Sequence, residues 1–381
     1  MELTSTKYKQ TEVGLIPEDW NCVKMGDVGT TIIGLTYSPK DVADYGTLVL
    51  RSSNVQKNQL AYKNNVFVDM DLPQRVIVKE NDILICVRNG SKKLIGKCAL
   101  IDKKAEGYAF GAFMSIYRSE FSKYIYYSFQ SNIIQKQIDE TMGATINQLT
   151  NRNLFEFKIP LPQKSEQKAI AQVLSDTDAL IQALEKKIAK KKLIKKGVMQ
   201  KLLTPNEDWK VKSFGEVCDI RKGQLITSDT KIDGAIPVIA GGKKPAYFHN
   251  KPNRTGKTIT ISGSGANAGY VSFHNYEIFA SDCSTISESK SYSIEYIYFV
   301  LLRMQDAIYK MQTGGAQPHI HPSDINPIEF PFPSLQEQKQ IASILTNIDT
   351  EISQLNQKLT KYQLAKQGMM QQLLTGKIRL V

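Results

Sequence analysis

The chain has 381 residues, too many for one ordinary domain and enough for two with connecting structure. With 41% hydrophobic and 23% charged residues it reads as globular, and a formal net charge of +12 leaves two readings open, a polyanionic partner or a merely basic soluble protein. Five scattered cysteines without C-x-x-C, a polar N-terminus and no run of about 18 apolar residues argue against a disulfide framework, zinc, a signal peptide and a membrane span, so a cytoplasmic chain without cofactor or metal is expected.

In chain order, the opening KYKQTEVGLIPEDW (7–20) precedes short strand-like runs broken by Gly, Asn and Pro, at 47–50, 75–78, 83–87 and 98–101. A helix is predicted around 122–139. A much longer helix follows within 159–204, with Pro160 and Pro162 ahead of its start, where a missing N–H costs little. Its residues Ile170, Leu174, Thr177, Ile181, Leu184 and Ile188 form a narrow apolar seam. Beside the seam runs a lysine stretch: Lys186, Lys187, Lys190, Lys191, Lys192, Lys195 and Lys196. A solvated face is the default reading of such a run; contact with phosphate or an acidic partner is the alternative.

The second half repeats this order. Strand-like runs fall at 236–239, 258–262 and 269–273, a helix around 294–311, and a second long helix within 330–375. Its seam is Ile341, Leu345, Ile348, Ile352, Leu355, Leu359 and Tyr362, spaced alternately by four and three. Residues 159–204 and 330–375 align without a gap, with 21 of 46 positions identical. A weaker repeat surrounds them: PEDWNCVKMGDVG (17–29) matches NEDWKVKSFGEVC (206–218), Gly34 matches Gly223, Tyr124 to Tyr126 match Tyr296 to Tyr298, and Gly143-Ala144 match Gly315-Ala316. Two narrow seams in one chain suggest that the helices pair with each other. The expectation is an α+β protein of two mixed domains, each followed by a long helix, with pseudo-two-fold symmetry. The divisions expected are 1–158, 159–204, 205–329 and 330–381. Between the anchors the two halves diverge, so one scaffold carries two surfaces.

Nucleic-acid contact needs side chains that reach base edges, and positive charge or backbone N–H groups for phosphates. In the first half the candidates are Arg88, Asn89, Ser91, Lys92 and Lys93, which follow a strand-like run, and Asn147, Gln148, Asn151 and Arg152 just before the long helix. A solvated loop and a capping segment are the plainer readings. In the second half Ser264 and Asn267 lie in a glycine loop, GSGANAG (263–269). It imitates a dinucleotide-binding loop, but a strand rather than a helix follows. A loop approaching phosphate and a simple tight turn remain equally open. Lys222, Lys243 and Lys244 are further candidates, as are Gln317, His319 and His321, which match the polar stretch of the first half. The two histidines have no third ligand in view.

Enzyme signatures are missing. There is no Pro-Pro pair for an adenine methyltransferase motif and no G-x-x-x-x-G-K-[ST]. Asp282 with Glu288-Ser289-Lys290 imitates a metal-dependent nuclease, but the carboxylates stand only six positions apart and Ser281 stands where that motif carries Pro. A metal-dependent nuclease and a non-specific basic coiled-coil scaffold are the rival readings.

The anchors resemble the specificity subunit of Type I restriction–modification enzymes. The similarity runs from the N-terminal segment through P-L-P-x-x-x-E-Q-K-A-I-A (160–171) and P-F-P-x-x-x-E-Q-K-Q-I-A (331–342) to LLTGKIRL (373–380), with Pro205 where the C-terminal copy has Gly376. The resemblance implies two target recognition domains on double-stranded DNA, each reading half of a split target, with the helices as an antiparallel coiled-coil ruler. It also implies two methyltransferase subunits as partners, and restriction subunits through them. The chain itself would be non-catalytic, with no small-molecule substrate.

Overall fold

The strand-forming runs pair into a four-stranded antiparallel sheet that occurs twice. The computed structural model describes residues 7–142, 148–230, 232–314 and 317–380. The chain folds into two units, unit 1 (1–183 with 359–381) and unit 2 (184–358). The first long helix, Lys164–Leu202, and the second, Leu335–Leu373, each contribute to both units.

In unit 1 the sheet order is Cys98–Leu100, Ile83–Cys86, Met114–Arg118, Thr30–Ile33. The central strand is apolar throughout because both its faces are covered. Ile83 and Ile85 enter one core with Trp20, Tyr124, Ile170 and Leu374; Leu84 and Cys86 enter another with Val49, Phe110 and Ile116. A smaller sheet places Thr47–Leu50 parallel to Ala109–Phe110 and antiparallel to Phe67–Val68. In unit 2 the order is Val271–His274, Thr258–Ser262, Cys283–Ser287, Ile220–Lys222, and Ile236–Ile239 lies parallel to Phe279–Ala280 and antiparallel to Tyr247–His249. The four-stranded antiparallel sheets have the same connectivity, strand for strand, whereas the smaller sheet carries an additional strand, Val42–Ala43, in unit 1.

Three expected elements differ. The run 75–78 is not a strand: Pro73 fixes φ at −60°, the Val76 N–H bonds the Pro73 carbonyl at 3.0 Å, and Gln74–Val76 is a 3-10 turn. The single helices expected at 122–139 and 294–311 are each two. Ser122–Phe129 and Asn132–Thr141 are separated at Ser131, whose hydroxyl donates to the Ser128 carbonyl at 2.6 Å. Ile294–Arg303 and Gln305–Lys310 meet at Met304.

The P-x-P-x-x-x-E-Q-K anchors have a local cause. Gln167 Nε2 donates to the Pro162 carbonyl at 2.7 Å, and Gln338 Nε2 to that of Pro333 at 2.9 Å, both buried. Tyr124 and Tyr296 hydroxyls donate to the Pro160 and Pro331 carbonyls at 2.8 and 2.7 Å. The glutamates diverge. Ser334 lets Glu337 close a helix cap, accepting the Ser334 N–H at 3.0 Å. Gln163 stands at the matching place of the first copy, and Glu166 turns inward instead.

Seam residues Ile170, Leu174, Ile181, Leu184, Ile188, Ile341, Leu345 and Ile352 are buried. In unit 1 Glu166 meets Arg379 at 2.8 Å and Asp178 meets Lys366 at 2.7 Å; in unit 2 Lys191 meets Glu351 at 2.7 Å and Lys195 meets Asp349 at 2.6 Å. Within each unit one partner's number rises as the other's falls, so the two chain segments run antiparallel. Thus Lys191 and Lys195 of the lysine stretch are spent on ion pairs, while Lys186, Lys187, Lys190, Lys192 and Lys196 are exposed.

His274 is buried in unit 2, with Nε2 2.9 Å from the Thr260 hydroxyl. Burial pushes its imidazole pKa down to about 4. The unfolded chain therefore binds the extra proton first. Stability present above about pH 6.5 is lost as pH falls towards 4, by about 3 kcal/mol. Urea unfolding followed at Trp209 in a Trp20→Phe background is expected to show this loss between pH 7 and pH 4.5, and His274→Gln to remove most of it.

Candidate nucleic-acid interface

In unit 1 the buried strand Ile83–Cys86 delivers Arg88 to the surface. The N–H groups of Val87 and Arg88 both bond the Phe113 carbonyl at 3.1 Å, which brings Phe113 beside them. The Arg88 guanidinium lies 5.2 Å from the centre of the Phe113 ring, and Phe113 is 56% exposed. Gln148 forms a β-bridge with Arg88, fixed by the Leu149 N–H on the Val87 carbonyl at 2.8 Å. Arg88, Phe113 and Gln148 therefore share one surface. Phe113 was not legible in the sequence, because only strand register places it near Arg88.

Some of the neighbouring candidates have structural duties. Asn89 donates to the Ser52 hydroxyl at 3.0 Å and accepts the Ser91 N–H at 3.1 Å, so it holds the loop. Lys92 and Lys93 are exposed on a 3-10 turn, Lys92–Leu94. Asn151 and Arg152 open the short helix Asn151–Glu156, which Thr150 and Asn153 cap. That is the plainer reading of the stretch. Asn147 lies outside the described residues, as do Gly143-Ala144 and Gly315-Ala316. An open cleft of about 590 Å³ adjoins Phe113, lined also by Thr36, Tyr37, Arg51, Ser52 and Asn64, none of them expected. Arg51 is held there by the Asn64 carbonyl at 3.0 Å. Lys97 supports the floor by donating to the Ser52 and Val55 carbonyls, and burial holds its pKa below the ordinary lysine range.

In unit 2 the glycine loop is a tight turn. Gly265 and Gly269 have φ of +80° and +82°, and the Ala268 and Tyr270 N–H groups bond the Gly265 and Asn267 carbonyls at 2.9 Å. The strand Val271–His274 follows it. Ser264 forms a β-bridge with His319, and its hydroxyl donates to Asp282 Oδ2. The His319 and His321 rings stack in parallel with centres 6.0 Å apart, and His321 starts the short helix Pro322–Ile325. Lys243 lies 5.2 Å over the Tyr270 ring, on the same loop as Asn267. Lys222 pairs with Ser284, two residues from Asp282; Lys222, Lys244 and Gln317 are exposed.

Asp282 and Glu288 flank opposite ends of the five-residue strand Cys283–Ser287, roughly 20 Å apart along the backbone. One of the two carboxylates is already bonded to Ser264. The nuclease-like pattern is therefore not assembled.

The two surfaces correspond position by position. Cys86 pairs with Met114 as Ser262 pairs with Cys283. Two residues on stand Arg88 and Ser264; one residue before the partner strand stand Phe113 and Asp282. The bridges are Arg88 to Gln148 and Ser264 to His319, and the Leu149 N–H on Val87 matches the Ile320 N–H on Gly263 at 3.0 Å. One scaffold thus presents a cation, an aromatic ring and an amide in unit 1, and a hydroxyl, a carboxylate and an imidazole in unit 2.

Residues 17–193 and 206–362 match the family described as Type I restriction modification DNA specificity domain. The chain is 29% identical to the MjaX type I restriction enzyme specificity subunit of Methanocaldococcus jannaschii, over 98% of this chain and 96% of that protein. It is 31% identical to the EcoKI specificity subunit of Escherichia coli over 42% of this chain and 36% of that one. The fold is similar to that of the S subunit of a Type I restriction–modification system from M. genitalium, with a TM-score of 0.70 and 18% identity over 98% of both chains. It is also similar to a chain from a study of complex assembly in the type I system, with a TM-score of 0.58 and 15% identity over 95% of this chain and 99% of that chain. No helix among the described residues is long and apolar enough to cross a membrane.

Proposed function

Since the chain belongs to the DNA specificity family of Type I restriction–modification enzymes, we propose that each unit reads one half of a split double-stranded DNA target. The chain is the specificity subunit, and the chemistry belongs to other subunits. One observation carries the two-reader proposal: matched positions of one scaffold hold different side chains in the two units. Two copies of one reader would repeat the chemistry, and a bare scaffold would not need to vary it.

Three further assignments go with this reading. The recognition domains are 1–158 and 205–329, followed by the helical segments 159–204 and 330–381. The helices set the gap between half-sites, since half-site spacing has to match the separation of the reading domains. The partners are two methyltransferase subunits and, through them, restriction subunits, in the cytoplasm. Exposed Lys186, Lys187, Lys190, Lys192 and Lys196 offer these partners or the DNA a cationic face. The net charge of +12 supplies affinity that weakens with salt but carries no sequence information.

Exchange of residues 206–330 for the equivalent segment of another specificity subunit tests the proposal. With the methyltransferase co-expressed, one half of the modified target is expected to change while the other half stays as it was. A change in both halves, or in neither, would contradict two independent readers.

A further inference from the structure

The correspondence between the units locates the discriminating side chains within the surfaces proposed above. We infer that Arg88, backed by Phe113, reads a guanine in one half-site, and that Asp282, held by Ser264, reads the exocyclic amino group of a base in the other. The inference rests on the two-reader proposal and narrows it to two positions.

For unit 1 the chemistry is direct. A guanidinium has parallel N–H donors that fit O6 and N7 of guanine in the major groove, the pairing that best separates G·C from other pairs. Arg88 is exposed, so its donors can reach a ligand. Its guanidinium lies over the ring of Phe113, which limits the rotamers it samples and fixes its plane. Phe113 is thus a positioning residue. Its large exposed ring, in a chain with abundant buried apolar sites, has a role once Arg88 is engaged.

For unit 2 the sign of the charge decides. Asp282 stands where unit 1 has Phe113, on a surface expected to approach a polyanion. A carboxylate there repels phosphates and cannot serve affinity. It can accept a hydrogen bond from an amino group, and in the major groove only cytosine N4 and adenine N6 offer one. Ser264 donates to Oδ2 and sets the carboxylate's orientation. Arg88 and Asp282 therefore select complementary features, a base rich in acceptors and a base bearing a donor.

The experiment uses the assembled specificity–methyltransferase complex and a randomised duplex DNA library, with modified products sequenced. Arg88→Ala is expected to relax one position from guanine to any base, losing about 10- to 100-fold discrimination there, with the other half-site unchanged. Arg88→Lys keeps the charge and loses the planar fork; since a lysine can still meet O6 and N7, it is expected to keep part of the guanine preference while the salt dependence of binding stays as in the parent. Asp282→Ala is expected to relax one position in the opposite half-site, and the base lost there identifies cytosine or adenine. Phe113→Ala is expected to weaken the guanine preference partially. Co-purification with the methyltransferase and an unchanged melting profile show that a variant is folded. If the parent complex has a split target and neither Arg88→Ala nor Asp282→Ala alters it, this inference is wrong while the two-reader proposal stands. If the parent has no split target, the two-reader proposal itself falls.

Discussion

Arg379→Met is expected to destabilise unit 1 by about 3–5 kcal/mol, the cost of leaving a buried charge without its partner. Glu166 is 1% exposed and accepts from Trp20 Nε1 at 3.0 Å. Arg379 reaches it from the C-terminal segment with Nε at 2.8 Å and Nη2 at 2.9 Å, and forks onto Asp19 at 3.0 and 2.7 Å. That fork holds the Asp19 carboxyl below the usual carboxylate range, but Asp19 is half-exposed and adds little. The segment is guided by Gly376, whose φ is +69° and whose Cβ, if present, would stand 2.4 Å from Pro17. Pro205, at the matching place after the first helix, cannot adopt that conformation. The measurement is urea unfolding followed at Trp20 in a Trp209→Phe background. The double variant Glu166→Gln with Arg379→Met is expected to recover much of the loss, because no charge then remains buried. If Arg379→Met alone were neutral, the ion cluster would not be holding the C-terminal segment.

Lys366→Met is expected to cost about 3 kcal/mol and Lys195→Met about 1–2 kcal/mol, each in its own unit. Lys366 is paired with Asp178 at 2.7 Å and lies 5.4 Å over Tyr127, whose hydroxyl donates to the same aspartate at 3.0 Å. Lys195 is paired with Asp349 at 2.6 Å and lies 5.3 Å over Phe299. Both lysines have side chains only 16% exposed, but Asp178 is 17% exposed and Asp349 36%, so the second pair is the weaker of the two. Asp178 and Asp349, and Lys195 and Lys366, are repeat mates in the sequence, so the clamp is one device used twice. Hydrogen exchange should show the loss as faster exchange near residue 366 for Lys366→Met and near residue 195 for Lys195→Met. Equal effects of either variant at both places would contradict two separate clamps.

The long helices were legible because their signal is local. Proline before the start and an apolar seam spaced by fours and threes lie within 46 residues, and a second copy identical at 21 of the 46 positions repeats them. Strands such as Thr47–Leu50 and Ile236–Ile239 were legible for the same reason. What escaped depends on distance along the chain. Arg88 and Phe113 are joined only by strand register, and Glu166 and Arg379 are 213 residues apart. A solvated face is the default reading of the lysine stretch, with phosphate or an acidic partner as the alternative, and the sequence does not show that Lys191 and Lys195 face Glu351 and Asp349. Asp282 drew attention as part of a nuclease-like pattern, and its bond to Ser264 gives it a different setting. The helix expected at 122–139 ran too far because Ser131 looks like any polar helix residue until its hydroxyl is seen to close a turn.

The most direct test of the two-reader proposal is to co-express the unmodified chain with its methyltransferase in a methylation-free host and map modified adenines by long-read sequencing. A target of two short specified halves with a fixed unspecified gap is the expected result. A single continuous target, or modification indifferent to sequence, would contradict it.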